Sequence, residues 1–443
     1  MELDIEHYST EAEDLLAYGF DASGLSGSPA AVAWPETAEE VSRVMRRAGE
    51  IKAAVVPRGA GTGMSGGAVP VSGEKTIVLS FERMDRILEV DDVNLTALVE
   101  PGVVNGRLQR ELAGYGLFYP PDPASLEFCT IGGNVAENAG GPRALKYGVT
   151  RDYVLRLEAV LASGEIVTTG VQTHKGVVGY DLTRLLTGSE GTLAAITKIL
   201  LKVLPLPEET VTLLAVFGDA GAAGEAVSRI IASKIIPRTL EIMDRQCMLA
   251  VEKRGPVGLP AGAEALLLIE LDGHREAIKA EAARVIEICR MLAAGVTMAE
   301  DEDARGALWR ARRGISPALY QACPRKVSED IVVPRGNIAQ MLGELKALAA
   351  KSSVPIATFG HAGDGNLHVN FLPGKNMDLT PILGELFEKV LALGGTLSGE
   401  HGVGLTKKPF IGMEIRPVEL DLMRRIKAVF DPEGILNPGK IFP

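Results

Sequence analysis

The stretch HAGDGNLHVN, residues 361 to 370, most constrains what this chain can fold into. The run VPIATF before it is typical of a strand, whereas GHAGDGN contains too much glycine for a helix. In LHVNF the apolar side chains alternate with His368 and Asn370, which therefore share the opposite, polar face. The pattern predicts a strand, a tight loop and a second strand, with His361 at the mouth of the loop.

A second short motif, GEHGVG at 399 to 404, carries Glu400 and another histidine. Together the two motifs hold three of the chain's six histidines. Two neutral imidazoles and a carboxylate suit a borderline divalent cation such as zinc, manganese or iron. The sequence therefore predicts a metal site formed by His361, His368 and Glu400. The alternative is a set of histidines that hydrogen bonds satisfy in a polar core.

Length and charge limit the class of protein. A chain of 443 residues is too long for one ordinary core and predicts two or three domains. The formal net charge of -11 argues against a nucleic-acid partner. No apolar run approaches the length of a membrane span, and the acidic N-terminus has no apolar signal core, so we expect a cytoplasmic protein.

The four cysteines are far apart in sequence and form no CxxC motif. Their spacing argues against an iron–sulfur cluster or a structural zinc site. Redox chemistry in this chain would therefore need a bound organic cofactor, and the electrons would pass on to a small acceptor or another protein. Packing as buried apolar residues is the simplest role for isolated cysteines, including Cys129.

A glycine-rich loop, RGAGTGMSGGAVP at 58 to 70, follows a predicted strand, helix and strand in which Thr37 caps the helix with Glu40 as its capping-box partner. Its GTGMSG formally matches the dinucleotide fingerprint GxGxxG, but Pro70 argues against the helix that this fingerprint requires. We therefore reject a Rossmann NAD site. The loop can still wrap backbone N–H groups around a pyrophosphate. The alternative is a flexible surface loop.

The remaining first half alternates between helices, strands and turns. The pattern predicts a helix and loop over 1–28, paired strands over 76–104, a helix over 105–114, a hairpin with Ser163-Gly164 in its turn, and a helix, glycine turn and strand over 182–207. The motifs IGGN and NAGG place small residues where a flat ring system would lie against the backbone.

From residue 211 the order strand, helix, strand, strand, helix is typical of a ferredoxin-like α+β domain. A helix over 303–322 carries Arg310, Arg312 and Arg313, which a solvated basic face would also explain. A strand over KVSEDIVVP and a helix over 337–351 precede the histidine motif. After GEHGVG, the helix PVELDLMRRIKAVFD ends in a turn-rich tail that we expect to pack on the first domain. With the proline-flanked PLPEET as a boundary, the predicted segments are 1–28, 29–207, 208–395 and 396–443.

Several motifs together resemble those of the FAD-linked D-2-hydroxyacid dehydrogenase family, of the glycolate oxidase D-subunit and D-lactate dehydrogenase type: PRGAGTGMSGG, CTIGGNVAENAGG, GSEGTL, HAGDGNLH, SGEHGVG and NPGK. The likeness covers nearly the whole chain. It implies an α+β protein of the vanillyl-alcohol-oxidase type, with a PCMH-type FAD-binding domain of two α/β subdomains, a ferredoxin-like substrate cap and a C-terminal helical return to the FAD domain. Some relatives attach FAD to a histidine in the pyrophosphate loop. This loop has none, so the resemblance implies non-covalent FAD.

The resemblance also implies roles for individual residues. His361, His368 and Glu400 match metal ligands, and His401 matches the catalytic base. Arg312 matches the residue that grips the substrate carboxylate, with Lys326 and Asn370 in the same pocket. Asp364 is more simply a brace for its loop. The implied FAD contacts are Arg58, Gly59, Ala60, Gly61, Thr62, Gly63, Met64, Ser65, Gly66, Gly67, Pro121, Asp122, Ser125, Thr130, Gly132, Gly133, Asn134, Asn138, Gly141, Glu190, Gly191, Ile196 and Asn437.

These residue types suit oxidation of a small D-2-hydroxy acid, such as D-lactate or glycolate, to the 2-oxo acid. A cation on the hydroxyl would stabilise the developing alkoxide, His401 would take the proton, and flavin N5 would accept the hydride from C2. An electron-transferring flavoprotein, an iron–sulfur subunit, a quinone or oxygen would receive the electrons, and the chain could form a homodimer. Two other hypotheses stay open: a flavin subunit active only within a complex, and a metal-dependent hydrolase without flavin.

Overall fold

The computed structural model describes residues 2–71, 75–255, 257–260, 262–375 and 377–443, and the chain divides into two compact units. The first unit comprises Met1–Gly140, Gly148–Leu206 and Glu400–Pro443, and the second comprises Gly141–Tyr147 and Pro207–Gly399. The chain therefore passes from one unit to the other after residues 140, 147, 206 and 399. None of the helices in the described ranges combines the length and the hydropathy that a membrane span requires.

The first unit contains two main sheets and one short strand pair. Its four-stranded sheet has the order Tyr8–Ser9, Ala31–Ala33, Thr76–Ser80 and Ala54–Arg58, in which the last three strands run parallel. Its five-stranded antiparallel sheet has the order Ile87–Asp91, Thr96–Val99, Ala195–Lys202, Val154–Val160 and Ile166–Gly170. The short pair joins Leu117–Phe118 and Leu204–Pro205.

The helices of this unit lie around the two sheets. The α-helices are Ala12–Ala17, Ala38–Ile51, Asn105–Ala113, Ile131–Glu137, Leu182–Leu186, Ile411–Glu414 and Pro417–Phe430, and 3-10 turns span Thr150–Asp152 and Lys408–Phe410. The predicted hairpin is confirmed, and Gly164 in its turn has a φ of 84°.

The predicted strand, helix and strand before the glycine loop is confirmed. Thr37 Oγ1 accepts a hydrogen bond from the Glu40 N–H at 3.2 Å, so Thr37 is the N-cap. The capping box, however, is displaced by one residue, because the Glu40 carboxylate accepts from the N–H of Glu36. The buried face of this helix belongs to the core of the four-stranded sheet and contains Val41, Val44, Met45 and Ala48.

The helix predicted within residues 1–28 is present, but it is short and has no buried face. The helix is confined to Ala12–Ala17 and buries none of its residues. Short helices are unstable unless an apolar face packs against other elements. The preceding residues Tyr8–Ser9 instead pair antiparallel with Ala31–Ala33 at the edge of the sheet.

The second unit is built on a seven-stranded sheet in the order Gly295–Met298, Glu209–Phe217, Ala265–Gly273, Thr239–Asp244, Ile356–His361, Asn366–Phe371 and Val327–Val332. The first four strands in sequence lie side by side in the order fourth, first, third, second, and antiparallel pairing joins them. With crossover helices Ala220–Ala232 and Arg275–Arg290, this is the predicted ferredoxin-like arrangement. Its other helices are Ala144–Tyr147, Arg245–Arg254, Glu302–Arg313, Ile315–Ala322, Ile338–Ser352 and Thr380–Ala392, with a 3-10 turn at Arg335–Asn337.

Sequence reasoning missed the helix Arg245–Arg254. It begins directly after a strand, and Asp244 is at once the last strand residue and the N-cap, accepting from the Cys247 N–H at 2.9 Å. The junction therefore has no glycine or proline to mark it. Cys247, Met248 and Val251 are buried in an apolar cluster on this helix.

The single helix predicted over 303–322 is divided at Gly314 into Glu302–Arg313 and Ile315–Ala322. Arg310 and Arg313 are exposed, as the basic-face alternative proposed, and Arg313 stacks over the Trp309 ring. Arg312 is buried, so that alternative fails for this residue.

Candidate active site

The glycine loop leaves the end of strand Ala54–Arg58 and contains no helix or strand in its described part, residues 59–71. This matches the rejection of a Rossmann helix. Gly61 and Gly66 have φ values of 68° and 79°, a backbone region that favours glycine. A Cβ on Gly59 would lie 2.3 Å from Thr130 Oγ1, whereas one on Gly63 would meet no described atom within 4 Å. The loop therefore packs against Thr130 at Gly59, whereas at Gly63 there is space for a ligand next to the backbone.

The C-terminal tail fastens this loop. Asn437 Nδ2 donates to the carbonyl of Gly67 at 3.0 Å and to that of Glu190 at 2.8 Å, and Lys440 Nζ donates to the carbonyl of Val69. The backbone of the tail also bonds to strand Ala54–Arg58, because the Asn437 N–H donates to the carbonyl of Val55. The expectation that the tail packs on the first domain is confirmed.

Glu190 anchors the segment that carries His401. Its buried carboxylate accepts hydrogen bonds from the backbone N–H groups of Val403 at 2.8 Å and Gly404 at 2.7 Å. Burial raises the pKa of this carboxyl above its ordinary value, although the two N–H donors oppose the shift. A Cβ on Gly404 would lie 2.2 Å from the Ser65 carbonyl oxygen. The His401 segment is therefore held against the glycine loop within the first unit.

Among the buried polar atoms of the first unit that lack a hydrogen-bond partner in the described residues, three lie in segments predicted to contact FAD: Ser65 Oγ, Asn134 Nδ2 and Asn437 Oδ1. Buried polar atoms are costly without a partner, so a ligand that supplies one fits these positions. These three segments are the glycine loop, IGGN and NPGK. Their polar atoms, together with the loop backbone, suit the pyrophosphate and ring edges of FAD.

The IGGN motif owes its glycines partly to protein packing. It forms the start of helix Ile131–Glu137, whose N-cap Thr130 accepts from the Gly133 N–H at 3.2 Å. A Cβ on Gly132 would lie 2.5 Å from the Pro101 side chain. Contact with Pro101 is therefore enough to exclude a larger residue at Gly132. The sequence interpretation had explained the small residues of this motif by a flat ring system against the backbone.

Other residues predicted to contact FAD hold the first unit together. Arg58 donates to the carbonyl of Phe20 at 2.6 Å, and Asn138 Oδ1 accepts from the Arg151 N–H. Gly141 belongs to the second unit. Burial raises the pKa of the Cys129 thiol, which supports the packing role predicted for it. The remaining members lie in the glycine loop (Ala60, Thr62, Met64), in the segment 121–125 (Pro121, Asp122, Ser125), and before or within strand Ala195–Lys202 (Gly191, Ile196).

In the second unit, the predicted strand, loop and strand is present and brings two histidines together. The rings of His361 and His368 are buried, with centroids 5.2 Å apart and planes at 86°. His361 is the last residue of strand Ile356–His361 and so lies at the mouth of the loop, as predicted. Asp364 Oδ1 accepts from the Asn366 N–H at 3.2 Å, as expected for a loop brace.

Glu241 is a site residue that sequence reasoning missed. It lies fully buried in strand Thr239–Asp244, directly opposite His361. Its Oε1 is 2.6 Å from His361 Nδ1, and its Oε2 accepts from Arg312 Nε at 2.7 Å. Burial alone disfavours the charge, but Arg312 and His361 outweigh it and hold the pKa of the carboxyl below its ordinary value. A glutamate between the apolar residues of LEIM was the available signal.

Lys326 and Asn370 form a second polar pair on this sheet. Lys326 Nζ donates to Asn370 Oδ1 at 3.2 Å and to Ser316 Oγ at 3.3 Å, and burial lowers the pKa of its ammonium group. The Arg312 guanidinium lies 4.6 Å from the centroid of Phe359, whose ring is 5.0 Å from that of His368. The predicted substrate residues therefore share the second unit with both histidines.

The position of Gly399, the residue before Glu400, is fixed by contacts within the second unit. The Gly399 N–H donates to Asp330 Oδ2 at 2.9 Å, and Asp330 pairs directly with His368 in the sheet. A Cβ on Gly399 would lie 2.4 Å from Asn366 Nδ2, so this glycine is held close to the strand that carries His368. Glu400 is the next residue, one peptide further on, and opens the last segment of the first unit.

Replacing Asn437 by alanine is expected to loosen the FAD cradle. The change leaves the buried carbonyls of Gly67 and Glu190 without their donor, at about 1–3 kcal/mol for each buried group. We expect a lower melting temperature and faster release of fluorescent FAD on dilution. Asn94→Ala, which removes an exposed amide bonded to Asp91 in a turn, is the control. Equal FAD retention by the two variants would contradict this role for the tail.

Two family models match the chain: FAD binding domain over residues 29–170, and FAD linked oxidases, C-terminal domain, over 206–441. The glycolate oxidase subunit GlcD of Bacillus subtilis is 46% identical over 444 residues, covering 99% of this chain and 94% of that protein. The D-lactate dehydrogenase of Anaerostipes hadrus is 36% identical over 423 residues, covering 91% and 87%.

Among solved structures, p-cresol methylhydroxylase with substrate bound superposes with a TM-score of 0.83 at 18% identity, covering 98% of this chain and 93% of that one, and supports the fold alone. The extent of the family matches and the sequence identity to the two relatives establish the family as well as the fold. The chain belongs to the family of FAD-linked oxidases.

Proposed function

We propose that this chain oxidises a small D-2-hydroxy acid, D-lactate or glycolate, to the 2-oxo acid with non-covalently bound FAD. The observation that carries the proposal is the buried group in which Glu241 joins Arg312 to His361, with His368 beside it. A fixed cation next to two imidazoles suits a substrate that has both a carboxylate and a hydroxyl group. The names of the relatives, a glycolate oxidase subunit and a D-lactate dehydrogenase, support the same substrate class.

Arg312 and Lys326 would hold the substrate carboxylate. A guanidinium has five N–H donors in a fixed plane, and Glu241 engages its Nε and one Nη, which leaves donors for an acid. Lys326 adds a half-buried ammonium whose partners Asn370 and Ser316 are neutral. Because both side chains are held by the protein before substrate arrives, less freedom is lost on binding.

His401 would accept the hydroxyl proton as C2 is oxidised. An imidazole exchanges protons near neutral pH, as a general base must. Glu190 fixes the backbone just after His401, which limits the positions that the ring can reach. The substrate loses one proton to His401 and two electrons with its C2 hydrogen. When bound, FAD supplies the two-electron acceptor, and a divalent cation supplies a Lewis acid for the hydroxyl oxygen.

We further propose that His361, His368 and Glu400 hold this divalent cation, which is zinc, manganese or iron. Support comes from the converging imidazoles, from Glu241 on Nδ1 of His361, and from the hydrogen bond between Asp330 and the N–H of Gly399, the residue before Glu400. Two nitrogens and one carboxylate oxygen leave coordination positions for a substrate.

The electrons would leave through a partner, either an electron-transferring flavoprotein or an iron–sulfur subunit. The word subunit in the name of the Bacillus subtilis relative supports an assembly. The same word supports the second candidate, a flavin subunit that is active only within its complex.

The test is an anaerobic titration of FAD- and metal-replete protein with D-lactate, glycolate and D-2-hydroxyglutarate, with L-lactate as the matched control. We expect D-lactate or glycolate to bleach the visible flavin band without any acceptor. A band that no acid changes would overturn the proposed substrate class. Bleaching that appears only after a partner chain is added would support the second candidate.

A further inference from the structure

Glu241 connects two groups that have separate tasks in the proposed function. One oxygen of its carboxylate faces His361 Nδ1 at 2.6 Å, and the other faces Arg312 Nε and Nη2 at 2.7 and 2.5 Å. The contacts are set by the sheet, because Glu241 and His361 are direct cross-strand partners. Arg312 reaches the same carboxylate from the last turn of helix Glu302–Arg313.

The contact with Nδ1 determines which ring nitrogen of His361 can bind a cation. A neutral imidazole carries one N–H, and the nitrogen that lacks it has the lone pair a metal needs. A carboxylate only accepts hydrogen bonds, so the proton of His361 lies on Nδ1, and Nε2 is left with the lone pair. Carboxylates placed in this way behind a histidine ligand fix its ring and strengthen its binding of metal.

We propose that Glu241 is a positioning residue that holds His361 with Nε2 available for a divalent cation and, through its second oxygen, holds Arg312 for the substrate carboxylate. This inference rests on the proposed function and deepens it. It follows that metal affinity and the KM for the acid depend on one carboxylate, although Glu241 itself touches neither ligand.

The substitution Glu241→Gln tests the inference at nearly constant volume. Its amide replaces one acceptor oxygen by an NH2 donor, which must face either His361 or Arg312. If the NH2 group faces His361, it donates to Nδ1, so the ring proton moves to Nε2 and blocks metal binding there. If it faces Arg312, it lies against the N–H donors of Nε and Nη2 and forms no hydrogen bond with them. We expect the metal-stripped, FAD-bound variant to bind Zn²⁺ about 10–100-fold more weakly than the wild type by calorimetry, with a raised KM for D-lactate.

Glu270→Gln is the matched control. Glu270 is a buried carboxylate on the neighbouring strand of the same sheet, and its partners are Trp309, Thr212 and Arg238. It should change stability without changing Zn²⁺ affinity. Equal Zn²⁺ affinity in wild type and Glu241→Gln would overturn the inference while leaving the proposed substrate class intact. A wild type that binds no Zn²⁺ would overturn both the inference and the proposed metal site.

A second measurement does not depend on the folding of a variant. In metal-stripped wild-type protein labelled with ¹⁵N-histidine, the His361 signals, assigned with His361→Gln, should show the Nδ1–H form. Observation of the Nε2–H form would contradict the role of Glu241.

Discussion

Replacing His401 by glutamine is expected to lower kcat for D-lactate oxidation by about 100- to 10,000-fold, the usual contribution of a general base. Glutamine is similar in size to histidine and forms hydrogen bonds, but it cannot take up a proton. The Glu190 carboxylate still holds the N–H groups of Val403 and Gly404, so the segment should keep its course. FAD content should therefore be retained, and KM should change much less than kcat. Stopped-flow flavin reduction under anaerobic conditions measures the effect.

The control for this experiment is His274→Gln. The His274 ring is largely exposed and lies 3.0 Å from the Glu208 carboxylate at the surface of the second unit. It should reduce flavin at the wild-type rate. If His401→Gln also did so, His401 would not be the base, and the proton would have to leave through another group.

Replacing Arg312 by methionine is expected to lower the free energy of unfolding by about 3–5 kcal/mol, because removing one member of a buried ion pair leaves the other uncompensated. Glu241 is the fully buried partner and would retain only His361. The same change removes the proposed carboxylate-binding cation, so KM for the acid should rise. Chemical denaturation of the variant measures the first effect, and steady-state kinetics measures the second.

The matched control is Arg313→Met, on the exposed neighbour that stacks over Trp309, which should change stability by about 0.5 kcal/mol or less. A double variant, Glu241→Leu with Arg312→Met, should be more stable than Arg312→Met alone, since the Glu241 charge is then no longer left buried without Arg312. If the double variant were less stable than the single one, the cost would come from lost packing and not from the uncompensated charge.

Local patterns in the sequence predicted the elements well. The helix cap at Thr37, the hairpin at Gly164 and the two strands around 361–370 all depend on residues close together in the chain. The glycine loop could be separated from a Rossmann motif because a single proline, Pro70, lies within a few residues of it. In each case the deciding interaction lies within one supersecondary unit.

The contacts that shape the candidate site have a different origin. Glu241 meets Arg312, 71 positions later, and His361, 120 positions later, only because the fold brings two paired strands and the end of a helix together. The sequence offered Arg312 as a carboxylate binder, yet it did not show that a buried carboxylate already holds this side chain. The sequence likewise did not predict that Gly141–Tyr147 belongs to the second unit. This assignment depends on hydrogen bonds from Lys146 and Tyr147 to the buried Asp272.

The discontinuity of the first unit has a consequence for synthesis of the protein. Residues 400–443 emerge from the ribosome only after the whole second unit, yet they supply Asn437, which bonds to the glycine loop, and the N–H groups that Glu190 holds. The nascent chain therefore exposes an unfinished nucleotide cradle until residues 400–443 emerge, when the second unit already has all of its residues. A ribosome that stalls near residue 399 would accordingly release a chain without these contacts, and we expect that chain to retain its flavin poorly.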